Sequence, residues 1–192
     1  MINIDNIGNL KKCRIWLEEF SVAKHNAVEV LSSALKASDS IVKNDQSVAV
    51  ELFAAPRYYA LLGVEYIYKD TGKLEIYINT SEDSEKISDS LALPSDNVQS
   101  GIPKEYAQTV LNTTIKVFRN LYSIPSGILT FSVGAYGNFG SNQVIFAKAT
   151  GILIGLLVGK LSNMELDELK NIVRNELNKP LTDFYYDDFK DK

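Results

Sequence analysis

The chain has 192 residues, with 20 Lys and Arg against 24 Asp and Glu, a formal net charge of −4 and one cysteine. That length supports one domain with a sizeable buried core. The acidic balance excludes a global nucleic-acid footprint, which needs clustered excess Lys and Arg. The lone Cys13 excludes an intramolecular disulfide and any cysteine-based metal cluster.

In chain order, MINIDNIGNLKK lacks a basic segment followed by a long apolar core. A secretory signal is therefore not expected, and the cytoplasm is the expected location. Asn9 is a helix cap, and Leu10, Cys13, Trp16, Leu17, Phe20, Ala23, Ala27, Val30, Leu31 and Leu35 keep roughly helical spacing. The pattern predicts a long amphipathic helix within residues 1–45. Polar residues 38–47 break it. Val48, Val50 and Leu52 then alternate as a strand up to Pro56.

Two β-rich runs follow, Tyr58 to Tyr68 and Lys73 to Thr80, joined by Asp70-Thr71-Gly72, and they predict a hairpin. Residues 81–101, rich in Ser, Asp and Glu, read as a long connection. Pro103 opens a helix whose Val110, Leu111, Thr114, Ile115, Phe118 and Leu121 share one face. Ile128 to Tyr136 is a predicted strand, Gly137-Asn138-Phe139-Gly140 a turn, and Ser141 or Asn142 a cap for the next helix. A last helix is predicted from Ser162-x-x-Glu165, through Leu166, Leu169, Ile172, Val173 and Leu177, to the stop at Pro180.

The helix after the cap carries four small residues at steps of four: Ala147, Gly151, Gly155 and Gly159. Each interior glycine costs about 1 kcal/mol against alanine, so the ladder predicts a close backbone approach. The stretch is apolar nearly all round, which marks a buried element. Small-xxx-small spacing also suits a spanning helix. However, a span needs about 20 predominantly apolar residues, and Lys148 and Lys160 interrupt this one, so no membrane association is expected. Intrachain packing is the first use of the ladder and a homodimer contact the second.

The fold class predicted is α+β. It has a core at 46–160 of about four mainly antiparallel strands with helices on one face, an N-terminal helix in 1–45, and a helix and tail in 161–192. The whole is expected to form a single domain.

Within the core, Ile102-Pro103-Lys104-Glu105-Tyr106 opens a helix, and Gly140-Ser141-Asn142 after a strand opens another, with Phe146 four residues after Asn142 and Ala149 three further on. Over residues 58–160 this order resembles the fourth domain of elongation factor G. There an I-P-K-E-Y motif and a D-S-S turn hold the same places. The resemblance implies a left-handed β-α-β arrangement, also found in a small-subunit ribosomal protein and some small-molecule kinases, and a translation-associated RNA or ribosome partner. Crossovers are right-handed in about 98% of cases, so the resemblance alone supports the opposite hand. The family's Asp and its histidine three residues earlier are replaced by Gly140 and Gly137. No G-x-x-x-x-G-K-[ST] loop occurs, so GTP hydrolysis is not expected.

Catalytic signals are weak. Asp70-Thr71-Gly72 spells the aspartic-protease triplet, but that site needs two carboxylates sharing a proton, and its polar neighbours suit a turn. Pro125-Ser126-Gly127 through Ser132-Val133-Gly134 lacks the run of small residues of a phosphate loop. His25, on the predicted first helix, has no second histidine for a metal site and no orienter for a Ser21 pair. Glu51, Glu65 and Glu75 read as solvent-face carboxylates opposing Arg57, Lys69 or Lys73, and Cys13 as a small core residue. No catalytic set, metal or cofactor is predicted.

The tail, with Phe184, Tyr185, Tyr186, Asp187, Asp188 and Phe189, is a candidate interaction segment, either packed back as an edge strand or docking on a basic protein partner. Three function classes follow. The first is a non-catalytic interaction protein of inhibitor or immunity type. The second is the translation-associated binder. The third is a small enzyme of unknown reaction.

Overall fold

The computed structural model describes residues 1–5, 7, 11–17, 25–38, 42–81, 85–159 and 164–180. The strands are β1 (Ile2–Asp5), β2 (Lys11–Leu17), β3 (Glu29–Lys36), β4 (Gln46–Ala54), β5 (Tyr58–Tyr68), β6 (Lys73–Thr80), β7 (Val98–Ser100) and β8 (Gly127–Gly137). The helices are α1 (Lys104–Arg119), α2 (Gln143–Val158) and α3 (Leu166–Asn178). One sheet runs in the order β1-β2-β4-β5-β8-β6-β3, with β7 also paired to β8. Every pairing is antiparallel except β6 with β8. The architecture is α+β and mainly antiparallel, with eight strands where about four were expected.

The predicted N-terminal helix is replaced by strands β2 and β3. In β2, Cys13 and Ile15 enter the core under the helices, while Trp16 enters a second cluster on the opposite face. A strand covered on both faces reads as a nearly continuous apolar run, so Cys13, Trp16 and Leu17 satisfied a helical spacing. Ile15, which falls off that stripe, is fully buried as well.

The predicted hairpin is also corrected, since β8 lies between β5 and β6. The turn at 69–72 therefore spans the start of β8 and closes around Ser126. Ser126 Oγ accepts from Thr71 N at 3.0 Å and Gly72 N at 3.1 Å and donates to Lys69 O at 2.6 Å. The next residue, Gly127, has φ +151° and lies against the Ile67 carbonyl. No β-carbon fits there.

A register shift opposite Gly63/Val64 leaves Ser132 as an extra residue in β8. Such a bulge changes which face later side chains occupy. Leu129 and Phe131 lie under the helices, whereas Val133 and Ala135 join the opposite cluster.

The helices pack on one face, with α2 over β4 and β5, α1 over β6 and β3, and α3 against α2. α2 is buried nearly all round. The glycine ladder faces α3. A Cβ on Gly151 would overlap the Glu176 carboxylate, one on Gly155 would press on Ile172 at 3.1 Å, and Gly159 meets Met164. Ala147 is buried in the same helix. Lys148 turns its ammonium to the end of α3, donating to the carbonyls of Leu177 at 2.6 Å and Lys179 at 2.9 Å. A cation at a helix C-terminus satisfies its last carbonyls. α3 starts later than predicted, with Glu165 as N-cap in a capping box with Glu168. Among the described residues no helix is long and apolar enough to cross a membrane.

Candidate protein-interaction site

Residues 87–96, ahead of β7 in the 81–101 connection, strap the sheet face opposite the helices. Ile87, Leu91 and Ala92 cover Trp16, Ala49, Tyr59, Leu61, Val133 and Ala135. An irregular segment has no repeating hydrogen bonds of its own, so its backbone groups need side-chain partners. Glu51 supplies one. Its Oε1 accepts Leu91 N at 2.8 Å and Tyr59 OH at 3.0 Å, and its Oε2 meets Arg14 at 3.2 Å. Arg14 Nη1 also reaches Asp89 at 3.1 Å.

Glu51 is 1% exposed. This corrects its reading as a solvent-face carboxylate opposing Arg57, Lys69 or Lys73. Burial raises its pKa, against the Leu91 N–H, the Tyr59 hydroxyl and Arg14, which lower it. The Tyr59 phenol is pushed up mainly by burial, then by Glu51. Burial and the Glu51 charge likewise push the Cys13 thiol far up, so it stays a neutral core group.

The strap's end holds the turn after β8. Asp96 accepts Phe139 N at 3.0 Å through Oδ1 and Gly140 N at 2.9 Å through Oδ2. A Cβ at Gly137 or Gly140 would overlap this carboxylate. Ser141 Oγ accepts Gly137 N at 2.9 Å and donates to Tyr59 O at 2.7 Å. Asn142 Oδ1 then caps α2 by accepting Ile145 N at 3.0 Å. Held in this way, Phe139 is 65% exposed and Tyr58 43%, with Leu93 of the strap also exposed. Three loops joined by hydrogen bonds thus present apolar side chains at one end of the sheet.

The motif residues sit directly behind this tip. Ile102 is buried and lies against Gly134, and Pro103 is the N-cap of α1. Lys104 faces out and pairs with Glu29 at 2.9 Å, and Glu105 is exposed in the first turn. The Tyr106 ring stacks on Phe146 with centroids 4.6 Å apart, and its hydroxyl donates to Ser141 O at 3.2 Å. Burial pushes that phenol up to about 12. Ala149 is buried in α2. The structure therefore joins Tyr106, Ser141 and Phe146 into one support and leaves Lys104 and Glu105 at the surface.

His25 precedes β3 rather than riding a helix, with Nε2 2.9 Å from Asn79 O. Its pKa is lowered, mainly by burial. Glu75 accepts the Tyr77 hydroxyl at 3.1 Å. Among the described residues no group of three His, Cys, Asp or Glu could hold a metal ion. The tail residues Phe184, Tyr185, Tyr186, Asp187, Asp188 and Phe189 lie outside the described residues.

Sequence reasoning missed Asp96, Tyr58 and the Arg14–Glu51 anchor. Leu93-Pro94-Ser95-Asp96-Asn97 does carry turn chemistry, a signal that the strap holds a fixed shape. Compared with known protein families, curated proteins and solved structures, the chain matches none.

Proposed function

We propose that this chain is a non-catalytic protein-interaction protein, of inhibitor or immunity type, that engages its partner through the tip bearing Tyr58, Leu93 and Phe139. The observation that carries this reading is the Asp96 clamp, which holds an aromatic side chain out in water on a turn whose Phe139 and Gly140 N–H groups are already satisfied. Exposed aromatics on an ordered frame bind at low entropic cost. Glu51, a buried carboxylate of β4 beneath the strap, has its oxygens occupied by Leu91, Tyr59 and Arg14, an arrangement suited to anchoring rather than proton transfer.

The test is affinity capture from lysate with the full chain and with Phe139→Ser and Tyr58→Ser, at low and moderate salt. A protein retained at moderate salt and lost in both variants supports the reading. Identical capture by parent and variants contradicts it.

A second reading, a translation-associated RNA or ribosome binder related to the fourth domain of elongation factor G, has its own support. The parallel pair β6/β8 joined through α1 is a β-α-β unit inside an antiparallel sheet. The motif residues open α1 and brace α2. Against it, the family's Asp and histidine at this turn are absent, and Asp96 fills the space at Gly137 and Gly140. Capture of RNA that falls steeply with salt would favour this second reading.

A further inference from the structure

Among the described residues the sheet ends at β1 on one side and at β3 on the other. An edge strand offers a row of unpaired N–H and C=O groups, which proteins guard with short strands, prolines, bulges or charges. β1 is guarded in this way, being four residues long and ending in the exposed Asp5. β3 is not. It runs eight residues in unbroken register with β6, and between Glu29 and Lys36 it carries no proline and no charge.

The register shows which of its backbone groups are free. Ala37 N donates to Gly72 O at 3.0 Å, one step beyond the Lys36–Lys73 pair. Bonded and non-bonded pairs alternate along an antiparallel ladder. Leu31, Ser33 and Leu35 therefore bond to β6, while the N–H and C=O groups of Val30, Ser32, Ala34 and Lys36 point off the sheet. Those four residues are exposed, and their backbone groups find no partner among the described residues. Leu31 and Leu35 lie on the helix face, where Leu31 is only half-buried.

The sequence of β3 indicates what fits this edge. About Ser33 it is nearly symmetric, with Leu31 matching Leu35 and Ser32 matching Ala34. An antiparallel copy centred on Ser33 sets Val30 opposite Lys36 and Ser32 opposite Ala34, which pairs every outward N–H and C=O from Val30 to Lys36. On the helix face it sets Leu31 of each copy against Leu35 of the other, a cross-strand apolar pair. Charge selects the same direction. Lys36 stands opposite Lys73 in register, and neither makes an ion pair among the described residues. Antiparallel pairing brings the Glu29 end of each strand to the Lys36 end of the other, whereas a parallel copy would set like charges together.

We propose that two copies of this chain join through β3, edge to edge and antiparallel about a two-fold axis at Ser33, to form one continuous sheet. The contact is isologous, so it closes at two copies. β8 and β6 separate β3 from β5, and the contact uses none of Tyr58, Leu93 and Phe139. It therefore stands or falls independently of the proposed function.

The test is sedimentation of the full chain, with a Ser32→Lys, Ala34→Lys variant and a Ser32→Glu, Ala34→Glu variant beside it. Both positions are exposed, and in the proposed register position 32 of one copy faces position 34 of the other. The average mass of the parent should rise from 21.4 kDa toward twice that value, over roughly 1 to 500 µM protein. Each variant alone should stay single, and their equimolar mixture should pair again. In the parent, the amides of Val30, Ser32, Ala34 and Lys36 should exchange at least about tenfold more slowly at the high concentration, with those of Phe139 and Gly140 unchanged. A parent that stays single throughout overturns the proposal. So does growth past two copies, a dimer that both variants retain, or slowing that falls outside β3. If circular dichroism shows a variant unfolded, the exchange pattern of the parent decides.

Discussion

The two faces of the sheet are built from the same strands but held by different means. Under the helices, Val48, Val50, Leu52, Ala60, Leu62 and Phe131 meet α2 and its neighbours in an uninterrupted apolar core. On the other face a strap of irregular chain covers a smaller cluster and is tied down by two carboxylates, Glu51 and Asp96. A helix brings its backbone hydrogen bonds with it, so an apolar stripe suffices to dock it. An irregular strap does not, so acceptors must stand on the sheet and in the strap where its N–H groups and its neighbours' fall.

The largest expected effect lies on the helix side. Phe146→Ala removes the ring on which Tyr106 stacks and should cost about 3–5 kcal/mol, read as a lowered urea midpoint with unchanged slope. On the strap side, Glu51→Ala strands Arg14, the Tyr59 hydroxyl and the Leu91 N–H, and should cost about 3 kcal/mol in the same assay.

Glu51 also sets a pH dependence. Its folded pKa is raised above the ordinary 4.5, chiefly by burial. A carboxyl whose pKa is higher folded than unfolded binds its proton more tightly in the native state. Its contribution therefore turns unfavourable as pH rises from the ordinary value through the raised one. Against Glu51→Gln, the parent should lose relative stability as pH climbs through that window. A flat difference would contradict the assignment.

Smaller effects distinguish clamp from ornament. Asp96→Ala should cost about 1 kcal/mol, with faster amide exchange at the 137–141 turn. Asp89→Ala should change stability by less than about 0.5 kcal/mol, because Asp89 is 88% exposed and an exposed pair is weak.

Local signals in the sequence anticipated much of the fold. Pro103 marked the start of α1, alternation marked β4, and Asn142 was one of two caps proposed for α2. The glycine ladder was read as a close backbone approach; what stands over Gly151, Gly155 and Gly159 is the side chains of Glu176, Ile172 and Met164, which carried no matching signal. What escaped was nonlocal. β2 obeyed two periodicities because both of its faces are covered. The insertion of β8 between β5 and β6 depends on Ser126 and Gly127 meeting a turn more than fifty residues earlier. Glu51 looked like a surface carboxylate because its partners lie 37 and 40 residues away, at Arg14 and Leu91. The tip was read only as a turn, since Asp96 reaches it from 43 residues upstream of Phe139.

The most direct test of the strap as a clamp on the tip is residue-resolved amide exchange at Phe139 and Gly140 in the parent and in Asp96→Ala. Exchange should be slow in the parent and rise about tenfold or more in the variant, with the amides of Ile152 to Leu157 in α2 unchanged. Equal rates at Phe139 and Gly140 in the two proteins would contradict it.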